Sequence, residues 1–152
     1  MVLTQKETSV IEDLRQQEQS CIEKYKRYAQ EAKDPVLQDL FHELEKEETE
    51  HYESLGQVLK GAVPACNCND KEGEVYQPNA TYDAMTNSED KKNDCFLATD
   101  CIGTEKMVSG TYNTDVFVFG DTKIRKLLAD IQIEEQNHAE MLYKYKTVNG
   151  MA

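Results

Sequence analysis

The sequence predicts an all-α protein built as two antiparallel helical hairpins joined by a long crossover connection, which is a four-helix bundle topology. Four long segments place apolar residues at helical spacing. The connections between these segments are short, long and short in chain order. A short connection places two helices side by side in antiparallel orientation, whereas a long connection can span the length of a bundle. The polar residues that interrupt the apolar stripes also repeat between the two halves, which indicates two hairpins of the same design.

The first hairpin is predicted over about residues 5–60. Its first helix ends near Lys33, and Asp34 followed by Pro35 is typical of an N-cap with proline at the first helical position. Gly61 ends the second helix. The apolar stripes of the two helices contain Ile11, Leu14, Cys21, Ile22, Tyr25, Tyr28, Leu37, Leu40, Phe41, Leu44, Leu55 and Leu59.

Residues of about 61–90 are rich in Asn, Asp, Pro and Gly and show no sustained period, so they are predicted to form the connection. The second hairpin is predicted over about 91–148. Its first helix extends to Phe119 despite the weak helix formers Gly103 and Gly110. Asp121 then caps the last helix. We expect residues 1–152 to form a single domain.

The polar repeat is carried by glutamate, tyrosine and histidine residues on the core faces of the four helices. Each half contains Glu-x6-Tyr, then a hairpin turn, then Glu-x-x-His, and the two halves are related by a constant offset of 87 residues. On the 3.6-residue period, the Glu and His side chains point inward. The repeated residues are Glu18, Tyr25, Glu48 and His51 in the first half, and Glu105, Tyr112, Glu135 and His138 in the second.

Four carboxylates and two imidazoles in one core predict a dinuclear metal site, either functional or vestigial. Buried charges must be paired or bind metal, because their desolvation is otherwise too costly. Carboxylates can bridge two metals and imidazole suits iron, and Glu and His at positions i and i+3 share one helix face. One Glu from each of two helices and Glu-x-x-His from each of the other two is the ligand set of di-iron and di-manganese carboxylate bundles.

Two assignments remain open at the level of sequence. Glu47 and Glu134 are also on a face compatible with the histidines, although Glu48 and Glu135 continue the apolar stripes better. The hydroxyls of Tyr25 and Tyr112 can either hydrogen-bond a metal-binding carboxylate or simply belong to aromatic side chains that pack in the core.

The composition excludes several function classes. A net charge of −12 argues against binding to nucleic acid or to an anionic membrane surface. No apolar run reaches about 18 residues, and the N-terminal residues lack a signal-peptide core, so we expect a cytosolic protein. No C-x-x-C pair is present, which excludes a rubredoxin-type or zinc-ribbon module. Cys21 and Cys101 are predicted to be buried apolar residues, and His42 a surface residue.

Longer stretches of the sequence resemble known families. EQSCIEKYKRYAQEA (18–32) followed by EETEH (47–51) is similar to the rubrerythrin and erythrin branch of the ferritin-like superfamily. The spore coat F family is resembled more closely by CIEKYKRYAQEAKDPVLQDLF (21–41), TEKMVSGTYNTDVFVFGD (104–121) and LLADIQIEEQNHAEMLYKY (127–145). The resemblance implies a ferritin-like bundle with two iron ions, or with manganese or a mixed pair. By position, Glu48 and Glu135 would bridge the metals, and the terminal ligands would be Glu18, His51, Glu105 and His138.

The resemblance also implies the function that we expect, which is protection against oxidative stress by reaction with O2 or peroxide, or by handling of iron. Rubrerythrins carry an extra carboxylate where this chain has Val108, and this difference puts rubrerythrin-type peroxidase activity in doubt. One alternative is a structural spore coat component with a structural or vestigial metal site, in which Cys66, Cys68 and Cys95 could cross-link neighbours. A second alternative is a di-manganese catalase. We expect a homodimer, located in the spore coat if the coat F resemblance holds, with other coat proteins as further partners.

Overall fold

The computed structural model describes residues 1–65 and 71–152, and its regular secondary structure within these ranges is entirely helical, as the sequence predicts. None of the helices in these two ranges combines the length and the apolar character needed to span a lipid bilayer. The helices are α1 (Gln5–Glu31), α2 (Pro35–Leu59), the short α3 (Glu72–Val75), α4 (Glu89–Asp115) and α5 (Thr122–Val148), with a 3₁₀ turn at Val116–Val118.

Side-chain caps fix where the long helices begin. Thr4 and Glu7 form a capping box at α1, and the Asp34 carboxylate accepts a hydrogen bond from the Val36 amide at the start of α2. Ser88 caps α4, and Asp121 accepts hydrogen bonds from two amides at the start of α5. The predicted caps at Asp34 and Asp121 are therefore confirmed, and each satisfies backbone donors that the first turn of a helix leaves unpaired.

Two predicted boundaries are wrong. The connection contains the short helix α3, which is a single turn and so has no periodicity that a sequence pattern could show. The helix predicted to reach Phe119 ends at Asp115 and continues as a 3₁₀ turn over Val116–Val118, a common way for the last turn of an α-helix to tighten. Cys66 and Cys68 lie outside the described residues.

The four long helices pack as two pairs. α1 packs mainly against α2, and α4 packs mainly against α5, while smaller contacts join α1 to α4 and α2 to α5. The short helix α3 lies against α5. Buried apolar side chains form two clusters, one around Phe41, Leu97 and Tyr145 and the other around Ile11 and Leu128. Buried polar residues occupy the middle of each helix, between the two clusters.

Buried and partly buried hydrogen bonds join the α1–α2 turn and the connection to α4 and α5. Asp94 on α4 accepts hydrogen bonds from the backbone amides of Lys33 and Asp34, both at 2.9 Å, and from the Tyr82 hydroxyl at 2.6 Å. The Tyr145 hydroxyl donates to Asp34 at 2.7 Å. Because one carboxylate of the second hairpin binds the α1–α2 turn directly, the two hairpins are held in a fixed relation at this end.

Candidate metal centre

The six residues predicted to bind metal converge in the buried polar layer between the two apolar clusters. Each of the four long helices contributes, and every one of these side chains is almost completely inaccessible to solvent. The layer therefore combines carboxylates and imidazoles from both hairpins at one depth of the fold. Its members are Glu18 on α1, Glu48 and His51 on α2, Glu105 on α4, and Glu135 and His138 on α5.

The donor atoms form two groups that share two carboxylates. In each group, one donor atom per residue lies within 4.8 Å of every other, which is close enough for a single ion to contact them all. Glu48 and Glu135 belong to both groups, and each group is completed by one further glutamate and one histidine. The groups are Glu18, Glu48, His51 and Glu135, and Glu48, Glu105, Glu135 and His138. This sharing is the geometry expected of two carboxylates that bridge two ions.

Each histidine turns its Nδ1 atom toward the carboxylates. His51 Nδ1 lies 2.9 Å from Glu135 Oε1 and 3.5 Å from Glu48 Oε2. His138 Nδ1 lies 2.8 Å from Glu48 Oε1 and 3.4 Å from Glu105 Oε1. The two imidazole rings are stacked, with centroids 5.9 Å apart, so the two histidines form a layer on one side of the carboxylates.

Several donor atoms of this cluster lack hydrogen-bond partners, which is the observation that fits a metal, although His138 Nδ1 is hydrogen-bonded to Glu48 Oε1 at 2.8 Å. Buried polar atoms in folded proteins are rarely left unsatisfied, because each one costs about 1–3 kcal/mol. Carboxylate oxygens of all four glutamates are unsatisfied here, and His51 Nδ1 faces them with no hydrogen bond. Acceptors that face one another repel, and a cation placed among them would satisfy all of them at once. The residues present therefore fit a dinuclear metal site.

Two further glutamates hold the histidines from outside. His51 Nε2 is hydrogen-bonded to Glu134 Oε2, and His138 Nε2 is hydrogen-bonded to Glu47 Oε2, so each bond crosses between α2 and α5. A carboxylate on Nε2 holds the ring with Nδ1 directed at the cluster, and with an ion bound the Nδ1 lone pair would face that ion. Glu48 and Glu135 thus face the shared donor groups, whereas Glu47 and Glu134 contact the histidines from the other side; Glu47 also forms a third possible group with Glu72 and His138.

The two tyrosines of the repeat contact metal-site carboxylates in a crosswise manner. Tyr25 on α1 donates its hydroxyl hydrogen to Glu105 on α4, and Tyr112 on α4 donates to Glu18 on α1. Both tyrosines are fully buried, with burial as the main cause of a pKa raised well above the usual value, so the hydroxyls stay protonated and remain donors. Of the two alternatives that the sequence leaves open, the structure shows the hydrogen bond, and the sequence pattern does not specify the crosswise pairing.

The metal-free cluster retains protons. Burial raises the pKa of Glu18 and of Glu135, and neighbouring carboxylates raise it further. Burial alone lowers the pKa of His51 and His138, but the surrounding carboxylates outweigh it and raise both pKa values well above the ordinary range. Burial opposes ionisation of Glu48 as well, yet its contacts with Glu18 and the histidines hold its pKa well below the usual value. Without a cation, protons are thus the positive charges that balance this site.

The surroundings of the two histidines differ. On the side of His138, Glu72 of α3 approaches Glu47, and burial together with the Glu47 carboxylate raises the pKa of Glu72 to about 8. On the side of His51, a cavity of about 230 Å³ is lined by Glu50, His51 and Glu134 among others. Within the described residues, α3 thus approaches the His138 side of the site, and Ala65 of the connection lines the cavity on the His51 side. Glu72 was not anticipated, since its segment has no pattern that ties it to the helices.

The remaining predictions concern residues outside the centre. Cys21 and Cys101 are buried and free, as expected for apolar core residues, and Cys95 is a partly buried free thiol. His42 is exposed, which confirms its assignment to the surface.

Comparison with protein families matches residues 93–152 to the Coat F domain. This region contains almost all of α4 and the whole of α5, and with them Glu105, Glu135 and His138. No curated protein and no solved structure matches the chain. The similarity thus concerns the second hairpin, and it is a likeness to a domain of spore coat proteins.

Proposed function

We propose that this protein is a structural component of the spore coat whose helical bundle is stabilised by two metal ions in the buried Glu/His cluster. The unsatisfied donor atoms of the cluster carry the proposal, because four buried carboxylates without a cation would destabilise the fold. The match of residues 93–152 to the Coat F domain supports the coat context. The proposal includes a ferritin-like arrangement of the two hairpins as a single domain, with the cytosol as the site of synthesis.

The donor set favours iron or manganese. Four carboxylates and two imidazoles form a mixed hard and borderline set, which contains no thiolate from the described residues. Glu48 and Glu135 would bridge the two ions, while Glu18 with His51 and Glu105 with His138 would complete the two coordination spheres. Glu47 and Glu134 would orient the histidines, and the two tyrosines would hold the terminal carboxylates through their hydroxyls.

Metal analysis of the purified protein tests the proposal directly. We expect about two ions per chain, and we expect Glu48→Ala to lose both because Glu48 belongs to both donor groups. Glu43→Ala is the matched control, since Glu43 is an exposed glutamate on the same helix. An absence of bound iron and manganese in the wild-type protein, or full retention of both ions in Glu48→Ala, would contradict the proposal.

A second candidate function is redox catalysis, and two observations favour it. The cavity beside His51 gives a small molecule a path toward the site, and the buried Tyr25 and Tyr112 each contact a metal-site carboxylate. Two ferrous ions bound here would supply electrons for the reduction of O2 or peroxide. The protein would exclude bulk water, fix the donor atoms, and hold the tyrosine protons on the phenolic oxygens.

Oxygen consumption after addition of ferrous iron to metal-free protein separates the candidates. Fast O2 uptake that is lost in Glu48→Ala would support catalysis, whereas stable metal binding without O2 or peroxide turnover would support the structural role. A manganese-loaded protein that releases O2 from peroxide would instead support the catalase alternative. Detection of the protein in the coat fraction of spores tests the coat context independently of the metal.

A further inference from the structure

The outward face of α4 carries an apolar stripe that no other part of the described chain covers. Phe96 is 67% exposed, Met107 is 62% exposed, and Phe117, just past the helix end, is 85% exposed. Gly103 and Gly110 lie on the same face, and a Cβ atom added to either glycine would meet nothing within 4 Å. The stripe lies opposite the side of α4 that packs in the core, where Ala98, Cys101 and Glu105 are buried.

The four outer positions of the stripe repeat at intervals of seven residues, in the order Phe96, Gly103, Gly110 and Phe117. A seven-residue interval keeps side chains on one face of a helix that packs along another helix. The order is also the same when read in either direction from the midpoint between Lys106 and Met107. An antiparallel copy of α4 would therefore set phenylalanine opposite phenylalanine and glycine opposite glycine, which is the self-complementarity that a twofold interface requires.

The distribution of charge favours the same face. The chain has a net charge of −12, so two copies repel each other wherever both present acidic residues. Lys106 is the only exposed charged residue between 93 and 117, and Asp100 at the edge of the stripe is already paired with Lys24 at 2.9 Å. Lys92 pairs with Glu89 at 3.1 Å within its own helix, and antiparallel packing brings this exposed pair toward the end at which Asp121 of the second copy is exposed. Parallel packing would instead bring Lys92 toward Lys92.

We propose that this stripe is a homodimer interface, at which a second copy of the chain packs its α4 in antiparallel orientation across a twofold axis. The two glycines let the helix backbones approach closely, and the phenylalanines at both ends pack against the second copy. Residues 93–117 make a contact about 35 Å long at about 1.5 Å per residue. A contact of this length that is one helix wide buries an area at the low end of the range for specific interfaces. We therefore expect a dissociation constant in the micromolar range.

Analytical ultracentrifugation of the metal-loaded full chain tests the interface. The wild-type mass should rise with concentration from 17.4 kDa toward twice that value. The double variant Gly103→Glu/Gly110→Glu should remain monomeric, since glutamate is a good helix former and its side chain has free space in the monomer. The control variant Gln16→Glu/Gln19→Glu adds the same charge to the exposed face of α1. Its dissociation constant should exceed that of the wild type by only a small factor.

A wild-type protein that stays monomeric at several hundred micromolar would overturn the proposal, as would a glycine double variant that dimerises as well as the α1 control. Circular dichroism with equal helix content in all three proteins shows that a loss of dimer is not a loss of fold.

Chemical cross-linking distinguishes antiparallel from parallel packing. Thr99 and Thr114 are exposed on the stripe at equal distances from its midpoint, so an antiparallel dimer places Thr99 of one copy opposite Thr114 of the other. Single cysteine variants at these positions are made in a background in which Cys66, Cys68 and Cys95 are serine. With a short bis-maleimide, a mixture of Thr99→Cys and Thr114→Cys should give cross-linked dimer and either variant alone should not. Efficient cross-linking of each variant with itself would overturn the antiparallel arrangement.

Discussion

Four of the six donors in the buried cluster are held by a partner that lies on a different helix. His51 and His138 are fixed through Nε2 by glutamates across the α2–α5 contact, and Glu18 and Glu105 accept hydrogen bonds from tyrosines across the α1–α4 contact. A ligand held in this way keeps its orientation before a metal arrives, so little conformational entropy is lost when the metal binds.

Glu47 and Glu48 are adjacent in the sequence, and variants of them can distinguish metal binding by Glu48 from orientation of His138 by Glu47. We expect Glu47→Gln to keep two ions per chain but to weaken their binding by roughly 10- to 100-fold, because Gln removes the charge that supports His138. Glu48→Gln should reduce the number of bound ions, since it removes a carboxylate shared by both donor groups. Competition with a chromophoric chelator measures both quantities. Equal loss of ions in the two variants would contradict the separate roles.

The environment of the Asp100 carboxylate predicts that part of the free energy of unfolding depends on pH. A hydrogen bond from Tyr28 at 2.7 Å and the Lys24 ammonium group at 2.9 Å hold its pKa below the usual value. A pKa that is lower in the folded state stabilises the protein above the unfolded-state pKa, and this stabilisation is lost as the pH falls through the folded-state pKa.

We therefore expect Asp100→Asn to lower the free energy of unfolding by up to about 1 kcal/mol near neutral pH, since the pair is partly exposed and screened. The difference from wild type should vanish in acid below the folded-state pKa. Urea denaturation across this pH range measures it, with the exposed Asp39→Asn as a control that shows no such trend. A difference that persists unchanged in acid would contradict the assignment.

Sequence reasoning finds the six donors because each one interrupts an apolar stripe, and helical periodicity is enough to show that Glu18 or His138 points inward. The same periodicity cannot say which of Glu47 and Glu48 faces an ion, since both lie on compatible faces and only the opposite helix decides. Glu72 is beyond sequence reasoning altogether, because its place beside Glu47 depends on the path of the connection.

At the scale of the element, α4 differs from the other long helices in carrying two interior glycines. Gly103 and Gly110 lower its intrinsic helix stability, and neither is required by the backbone or by packing. Its apolar side chains are also distributed around much of its circumference, with Leu97 and Val108 inside and Phe96 and Met107 outside. The helix is thus held mainly by tertiary contacts along its inner face.

Alanine at these positions should stabilise the fold. We expect Gly103→Ala and Gly110→Ala each to raise the free energy of unfolding by about 0.8–1 kcal/mol, measured by urea denaturation at a concentration at which the chain is monomeric. Gly150→Ala is the contrasting variant, because Gly150 has φ +66° and its Cβ would lie 2.8 Å from Ala84 Cα. That variant should destabilise the protein. A fall in stability for the two α4 variants would show that these glycines serve the monomer fold.

The long helices could be predicted from the sequence because the capping residues and the apolar stripes indicate the same helical segments. Asp34 and Asp121 mark starts that the structure confirms, and the glycines of α4 do not stop a helix whose inner face is well packed. The single turn α3 was not predictable, since four residues cannot show a period. The all-helical class and the pairing of the long helices thus follow from local patterns, whereas the course of the connection depends on contacts distant in sequence, such as that between Tyr82 and Asn149.

For the whole molecule, the proposed metal centre would make the stability of the fold depend on metal. We expect removal of the ions with a chelator to lower the melting temperature by about 10 °C or more, because a ligand that binds only the folded state stabilises it by mass action. Differential scanning calorimetry of loaded and chelated protein measures the change. Identical melting temperatures would contradict a structural role of the metal.

The effect of a variant of one ligand should depend on metal loading. Glu105→Gln removes the carboxylate charge that faces His138 but keeps an oxygen that can accept the hydrogen bond from Tyr25. In the metal-free protein it also relieves part of the repulsion among the carboxylates, so it should lower the melting temperature less there than in the loaded protein. The four melting temperatures test this difference. An equal fall in both states would show that the repulsion among the carboxylates is not significant.

The offset of 87 residues means that each hairpin carries half of the donor set, so two copies of one hairpin would present the same six donors as the complete chain. The covalent connection then contributes a high effective concentration of one hairpin for the other. Its short helix α3 also breaks the equivalence of the halves, because it brings Glu72 to the side of His138 and leaves the cavity beside His51. If two ions bind as proposed, their positions would therefore be chemically distinct, and we expect them to bind in sequence with two different affinities.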